Sequence, residues 1–487
     1  MPTRRLRLHD ASAQTLRLAF EAVRTELGIP GDFAADVLTA ATTAAAAPRL
    51  PELDRTDIEF VTIDPPGSLD LDQAVHIARE ADGYRVSYAI ADVAAFVTVG
   101  DALDVAATTR GVTFYAPDGR RLLYPAVLSE GAASLLPDVV RPALLWSMHV
   151  DSTGEGTSVE VVRARVRSRQ QLTYATVQAD LDAGRASESL QLLAEVGKLR
   201  ERRERARGAV NLPLPEQDVV ASPDGRRLSL EFRAPQPVEG WNAQISLMTG
   251  MAAADLMMYA QVGILRTLPP ADPHSLRMLH RIAKAMGVDW AAEMTYPDFI
   301  HSLDPANPRH AAIVTASTAV LRGAGYTAFD GEVPARPEHS ALASVYAHVT
   351  APLRRLVDRY AGEVCVAICA GLPVPSATRA ALPDVAEVMQ RSDRLSAKYD
   401  WACVDAVEAA VLAGSVGQLF DGVVVELDAA RPPSADGAPV VRTGTVQLSD
   451  PAVMAKVSGV DLPLGEYTKV RLTEADVAAR RVRFELA

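Results

Sequence analysis

Asp64, Asp70 and Asp72 fall within nine residues, and Gln73 adds an amide beside them. The run Asp64-Pro-Pro-Gly-Ser-Leu-Asp70-Leu-Asp72-Gln73 follows a β-type stretch, Ile58–Ile63. Carboxylates converging at a strand end repel one another unless a cation neutralises them, and hard dications such as Mg²⁺ prefer oxygen ligands. Asp70 and Asp72 alternate across one leucine, so an extended backbone aims both to the same side. The Pro-Pro-Gly-Ser turn can bring Asp64 back to them. Such a pocket suits metal-assisted phosphodiester chemistry. Spacing alone leaves other readings open, among them a solvated turn and an aspartyl-phosphate enzyme using Asp70-x-Asp72 as nucleophile. An EF-hand fits poorly, because the glycine and the distal glutamate are at the wrong offsets.

The elements that must position these groups alternate between β and α patterns. Tyr84, Val86, Tyr88 and Ile90 alternate in a strand that delivers Asp92 to its end, where it is expected to support the site or cap the next segment. Leu16, Phe20, Val23 and Leu27 share a helical face that Gly28 and Pro30 stop, and a second, alanine-rich helix is expected over about 33–46. Ser187–Arg207 reads as a charged helix with a solvated Arg/Glu face, and Ala243–Tyr259 as a buried one. Pro352 is expected at the first turn of a helix carrying Arg354, Arg355 and Asp358, with free N–H groups suited to phosphate. From about Gly417 the period shortens to strands, including 423–427, 443–448, 468–472 and 481–485, with an exposed loop at 431–439.

With 487 residues, 48% of them hydrophobic, the chain can form more than one domain. Its net charge of −12 argues against a surface that coats nucleic acid indiscriminately, without excluding a basic channel. Cys365, Cys369 and Cys403 lack zinc-type pairing and read as free thiols. No apolar run reaches spanning length, and no secretory hydrophobic segment adjoins Arg4, Arg5 and Arg7; a cytoplasmic location is expected.

Several ordered motifs resemble the ribonuclease II family, whose catalytic module is the RNB domain. Thr62-Ile63-Asp64 through Asp70-Leu71-Asp72-Gln73-Ala74 is similar to its active-site signature. Tyr88–Val93, Arg110–Pro117, Leu128–Pro137, Leu172–Tyr174 and Tyr346–Arg355 follow in the family's order. The resemblance implies an α+β fold: a short helical lead over 1–56, an RNB-type mixed sheet flanked by helices over 57–416, and an OB-like barrel over 417–487. The lead is too short for the two small barrels that precede the catalytic module in larger relatives.

The resemblance also implies Mg²⁺-dependent (or Mn²⁺-dependent), two-metal, 3′-to-5′ processive hydrolysis of single-stranded RNA to nucleoside 5′-monophosphates. No membrane and no obligate protein partner are expected. Asp64, Asp70, Asp72 and Gln73 would hold metal, with Asp70, Asp72 and Arg354 catalytic. Tyr115, His348, Thr350, Arg354, Arg355 and, by a weak alignment, Gln244 would contact RNA. Gln73 departs from the pattern, since the family usually carries a fourth aspartate there. An amide oxygen brings no negative charge, so an RNA-binding relative with impaired catalysis is the alternative.

Overall fold

The computed structural model describes residues 12–212, 216–221, 228–233, 235–304, 307–428, 441–448 and 450–487. Five strands close into a barrel near the start of the chain: β1 (Phe60–Asp64), β2 (Gln73–Glu80), β3 (Gly83–Ala91), β6 (Val140–Asp151) and β7 (Gly156–Thr173). A short hairpin, β4 (Phe114–Ala116) and β5 (Gly119–Arg121), stands between β3 and β6 in the chain and pairs only with itself among the described strands. The sheet is mixed: β1 runs parallel to β7 and the other neighbours are antiparallel. The expected alternation on β3 holds for Tyr84, Val86, Tyr88 and Ile90, but Ala89 and Ala91 on its other face are also buried. Helices cover the tyrosine face instead: the Tyr84 hydroxyl donates to Glu195 of helix Glu188–Ala206, and the Tyr88 hydroxyl meets Ser246 of helix Pro237–Ala260. Gly83 begins β3 because a Cβ there would lie 2.1 Å from the Val150 carbonyl oxygen across the ladder.

Closure of the barrel places β1 and β2 side by side, and residues 65–72 form the connection between them. Asp64 therefore ends one strand, Gln73 starts its neighbour, and Asp70 and Asp72 hang between. Leu71 is fully buried and separates the two carboxylates, as the two-residue period of extended chain requires.

The helical lead is part of the core. Leu16, Phe20 and Val23 of helix Ser12–Leu27 are fully buried, and Gly28 ends the run at φ +64°. The next helix is Ala35–Ala46; Phe33, expected inside it, instead lies just ahead under the Arg110 guanidinium, 3.8 Å from its ring centre. Helix Ser12–Leu27 packs on the long helix Ser376–Leu412, and Arg24 ties it to the β4–β5 turn at Asp118 (2.7 Å) and to the Tyr399 hydroxyl (3.0 Å). The charged helix forms as Glu188–Ala206, yet its basic face is not wholly solvated. Arg200 is buried, donates to the Gly154 carbonyl, and is lowered by burial to about 10.

A second closed barrel ends the chain: Leu419–Leu427, Arg442–Leu448, Met454–Gly459, Tyr467–Asp476 and Arg481–Leu486. The strand Met454–Gly459 was not anticipated, and the loop expected at 431–439 lies outside the described residues. Phe484 and Phe420 meet edge to face in this barrel, while Tyr467 is exposed. Val423 and Val425 turn outward to a small helical cluster in which Trp290 stacks on Phe299 and His280. The described cysteines are free, with Cys365 and Cys403 buried. No described helix is long and apolar enough to cross a membrane.

Because Phe20 is enclosed on all sides, Phe20→Ala should lower global stability by ~3–5 kcal/mol in chemical denaturation. An unchanged midpoint would mean that the lead folds apart from the rest.

Candidate active site

The site is built where the β1–β2 connection meets two other segments. The first is Leu128–Leu135: the Ser134 hydroxyl donates to the Leu69 carbonyl (2.6 Å) and accepts from the Leu71 N–H (2.9 Å), and the Leu135 N–H donates to the Leu71 carbonyl (3.0 Å). These bonds fix the backbone between Asp70 and Asp72. The second segment is the turn 350–355. Its Leu353 N–H donates to Asp72 Oδ1 at 2.7 Å, and Arg354 Nε lies 3.5 Å from Asp72 Oδ2. Burial pushes the Asp72 carboxyl well above the usual carboxylate range; Arg354 and the Leu353 N–H oppose that, and Asp70 and Asp358 add to it. Asp64 belongs to the same electrostatic neighbourhood: it and Asp72 both act on the Tyr88 hydroxyl, which burial already drives upward.

The expected helix start is corrected. Pro352 is not its first residue; the helix runs Leu356–Cys369, with Arg355 as its cap and Arg354 in the turn before it. The two arginines consequently differ. Arg354 keeps a third of its side chain exposed beside Asp72. Arg355 makes two 2.8 Å bonds to Asp358, whose Oδ1 also accepts from the Ala351 N–H. Arg355 thus holds the turn that carries Leu353 and Arg354.

Gln73, expected as an amide ligand, is engaged within the protein. Its amide NH₂ donates to the Thr350 carbonyl (2.6 Å) and its oxygen accepts from the Tyr88 hydroxyl (2.7 Å), with Ser246 at 3.5 Å. Both ends of the amide have protein partners, and Gln73 fastens β2 to the 350–355 turn. Gln244 is buried on helix Pro237–Ala260 and donates to Glu204. Thr350 is buried and contributes its carbonyl. His348 lies among Tyr326 and Tyr346, with Tyr326 at its Nδ1 (3.0 Å), and burial holds it well below the ordinary histidine range, so it is neutral. Asp92 pairs with Arg163 (2.9 Å) and caps nothing.

Asp70 has partners the motif does not announce. Its Oδ2 accepts from the Tyr115 hydroxyl (3.3 Å), and its Oδ1 receives Arg120 at 2.7 Å. Arg120 was missed, although the signal exists. The Pro117-Asp118 turn pairs Tyr115 with Arg120 across β4–β5, and cross-strand partners project to one face. Arg121 projects the other way, toward Asp32.

By donor chemistry, Asp64, Asp70 and Asp72 fit a hard dication, and a cation would offset the burial that raises Asp72, to which the Asp70 charge adds a smaller part. The expected four-ligand set is nevertheless not preassembled. Among the described residues no three Asp, Glu, His or Cys side chains stand close enough to share one ion. Gln73 is engaged elsewhere, and Asp70 is turned to Arg120 and Tyr115.

The RNB domain family model matches residues 53–368, and the model of the RNase II-type exonuclease C-terminal S1 domain matches 418–487. The chain belongs to the RNB-domain family of ribonuclease II-type proteins. It is 25% identical over 460 residues to ribonuclease R of Aquifex aeolicus, covering 87% of this chain and 63% of that one. It is 26% identical over 319 residues to the exosome complex exonuclease dis3 of Schizosaccharomyces pombe, covering 63% of this chain and 33% of that one. The chain therefore spans less than two thirds of either relative. Mycoplasma genitalium RNase R, solved with ribose-methylated single-stranded RNA, superposes with a TM-score of 0.84 at 16% identity over 97% of this chain and 78% of that one. Yeast Ssd1, described as a pseudonuclease, superposes at 0.67 with 16% identity, over 90% and 54%.

If Gln73 is a fastener, Gln73→Asp sets a carboxylate against the Thr350 carbonyl and should cost ~1–3 kcal/mol of stability. Thermal and denaturant melts measure it, and a variant as stable as the parent would contradict the assignment.

Proposed function

We propose that this chain is a Mg²⁺-dependent exoribonuclease that shortens single-stranded RNA processively from its 3′ end, releasing nucleoside 5′-monophosphates. The observation that carries the reading is Asp72: a buried carboxylate at the mouth between two barrel strands, held by the Leu353 N–H and faced by the accessible Arg354. Family membership supplies the reaction class, and the RNA-bound relative supports the substrate class.

Asp72 and Asp64, with Asp70 beside them, are the carboxylates that would hold the ion; Gln73 adds none. When bound, such a dication lowers the pKa of an attacking water and neutralises charge on the leaving oxygen. Arg354 faces the scissile phosphate and stabilises its developing charge, the part of a preorganised cation. Leu353 fixes one Asp72 oxygen so that the other points toward Arg354. Asp358 and Arg355 act one step back, by holding the turn. Tyr115, kept neutral by burial, is a hydroxyl donor beside Asp70 and would contact the terminal nucleotide. The exposed Tyr467 gives the terminal barrel a stacking surface, and its other contacts with RNA would be electrostatic.

A second reading, binding without cleavage, is favoured by the commitment of Gln73 and by the likeness to a pseudonuclease. One experiment separates the two. A 5′-labelled single-stranded RNA incubated with Mg²⁺ should give a descending ladder, and a 3′ label should leave at once as mononucleotide. Asp72→Asn should cut the rate at least ~10³-fold while binding persists, and chelation should do the same. Internal cuts, or a parent protein that binds yet leaves both labels intact, would defeat the exonuclease reading.

A further inference from the structure

Helix Pro273–Ala285 has two unlike sides. Leu279 and Ala283 are buried and, with Met286 just beyond the helix, join the small cluster that also holds Val423 and Val425 of the terminal barrel. Arg277, His280, Arg281 and Lys284 fall at i, i+3, i+4 and i+7, so they share a different side, and all four are exposed. Among the described residues none of the three cations has a carboxylate partner: Arg281 reaches only the Met278 sulfur, and Asp272 is spent on capping the helix at Ser275. Elsewhere on this acidic chain, exposed cations such as Arg79 and Lys469 pair with Glu195 and Asp421. Solvation alone accounts for a row of charges, but not for the ring set among them. His280 lies 3.7 Å from Trp290, centre to centre and inclined by 11°, and Trp290 lies 4.1 Å from Phe299 at 2°. Phe299 is fully buried and the Trp290 N–H donates to the Met294 carbonyl (2.9 Å), which fixes the direction of the column. His280 is its exposed end, and no further ring among the described residues covers it.

We infer that helix Pro273–Ala285 is a surface for single-stranded RNA, separate from the carboxylate site. Arg277, Arg281 and Lys284 take phosphates, and one base continues the Phe299–Trp290–His280 column on its exposed end. Cations without partners on an otherwise acidic chain are the electrostatic footprint of a polyanion, and histidine is among the rings on which unpaired bases stack. Neither contact reads sequence, because every base has a flat face and every nucleotide a phosphate. A duplex hides its base faces, so the stack selects unpaired strand. The surface adjoins the terminal barrel: Arg309 lies 3.6 Å from Glu466, and a Cβ at Gly465 would come 3.2 Å from the Met286 sulfur, in the turn that leads to the exposed Tyr467. The inference rests on RNA being the ligand, as proposed above, and not on its being cut.

The test is binding of a labelled adenosine homopolymer to the full chain with a chelator present, so that no strand is shortened. Affinity for a single strand falls with salt by a log–log slope of about 0.7 per phosphate neutralised. Arg277→Gln, Arg281→Gln and Lys284→Gln combined should therefore flatten that slope by about 2. His280→Ala leaves the charges in place and should weaken binding at least ~5-fold, with His280→Tyr within ~3-fold of the parent. Inorganic polyphosphate, which has no bases, should bind the parent and His280→Ala alike. The same strand carrying one 4-thiouridine should cross-link, on irradiation of the parent, within residues 274–290. An unchanged salt slope in the triple variant, RNA affinity untouched by His280→Ala, an equal loss for polyphosphate, or cross-links confined to other segments would overturn this inference while leaving the proposed function standing. A parent that binds no single-stranded RNA would remove both.

Discussion

Burying carboxylates at the end of a barrel is the constraint around which this chain is organised. Asp70 and Asp72 sit in a connection that barrel closure leaves no freedom to swing into water. Each unpaired buried charge would cost several kcal/mol, so every nearby segment brings a donor or a cation. The Leu353 N–H answers Asp72, Arg120 and Tyr115 answer Asp70, and Ser134 secures the backbone between them. The residue stretches that carry the family likeness are largely the segments that make these bonds.

That arrangement separates groups that face outward from groups that hold them. Adjacent arginines show the division most plainly. Arg354 stands at the open edge, and Arg355, one residue on, is spent on Asp358 to keep the turn in shape. Gln73 and Thr350 close the same turn from the β2 side. The turn is thus fastened at both ends, and its N–H and guanidinium are offered to the site without reorganisation, which is where electrostatic stabilisation is most effective.

Much of the architecture was legible because period and punctuation report it directly. The alternation on β3, the buried face of Leu16, Phe20 and Val23, and the stop at Gly28 all follow from local pattern. The second barrel was legible in outline, but Met454–Gly459 was not seen: a short strand beside Pro451 and Gly459 has too few residues to establish a period. The carboxylates of the site were readable from spacing. Their counter-charges were less so, because Arg120 reaches Asp70 from fifty residues away and only the hairpin register says which of two consecutive arginines points inward. The misplacement of Pro352 has a local cause. Proline suits a first helical turn, but here the turn is shaped by tertiary bonds to Asp72 and Asp358, which outrank that preference. Gln73, expected as an amide ligand, and Gln244, expected by a weak alignment at the RNA, each have specific partners within the protein that spacing does not announce.

Arg24 joins the leading helix to the turn of the hairpin whose next residues are Gly119 and Arg120. The family model begins at residue 53, beyond that helix. Excising a catalytic fragment at the model's edge would sever the brace on Asp118 and let the hairpin sway. Homology boundaries and mechanical boundaries diverge in this molecule, and it is the latter that a minimal functional unit has to respect.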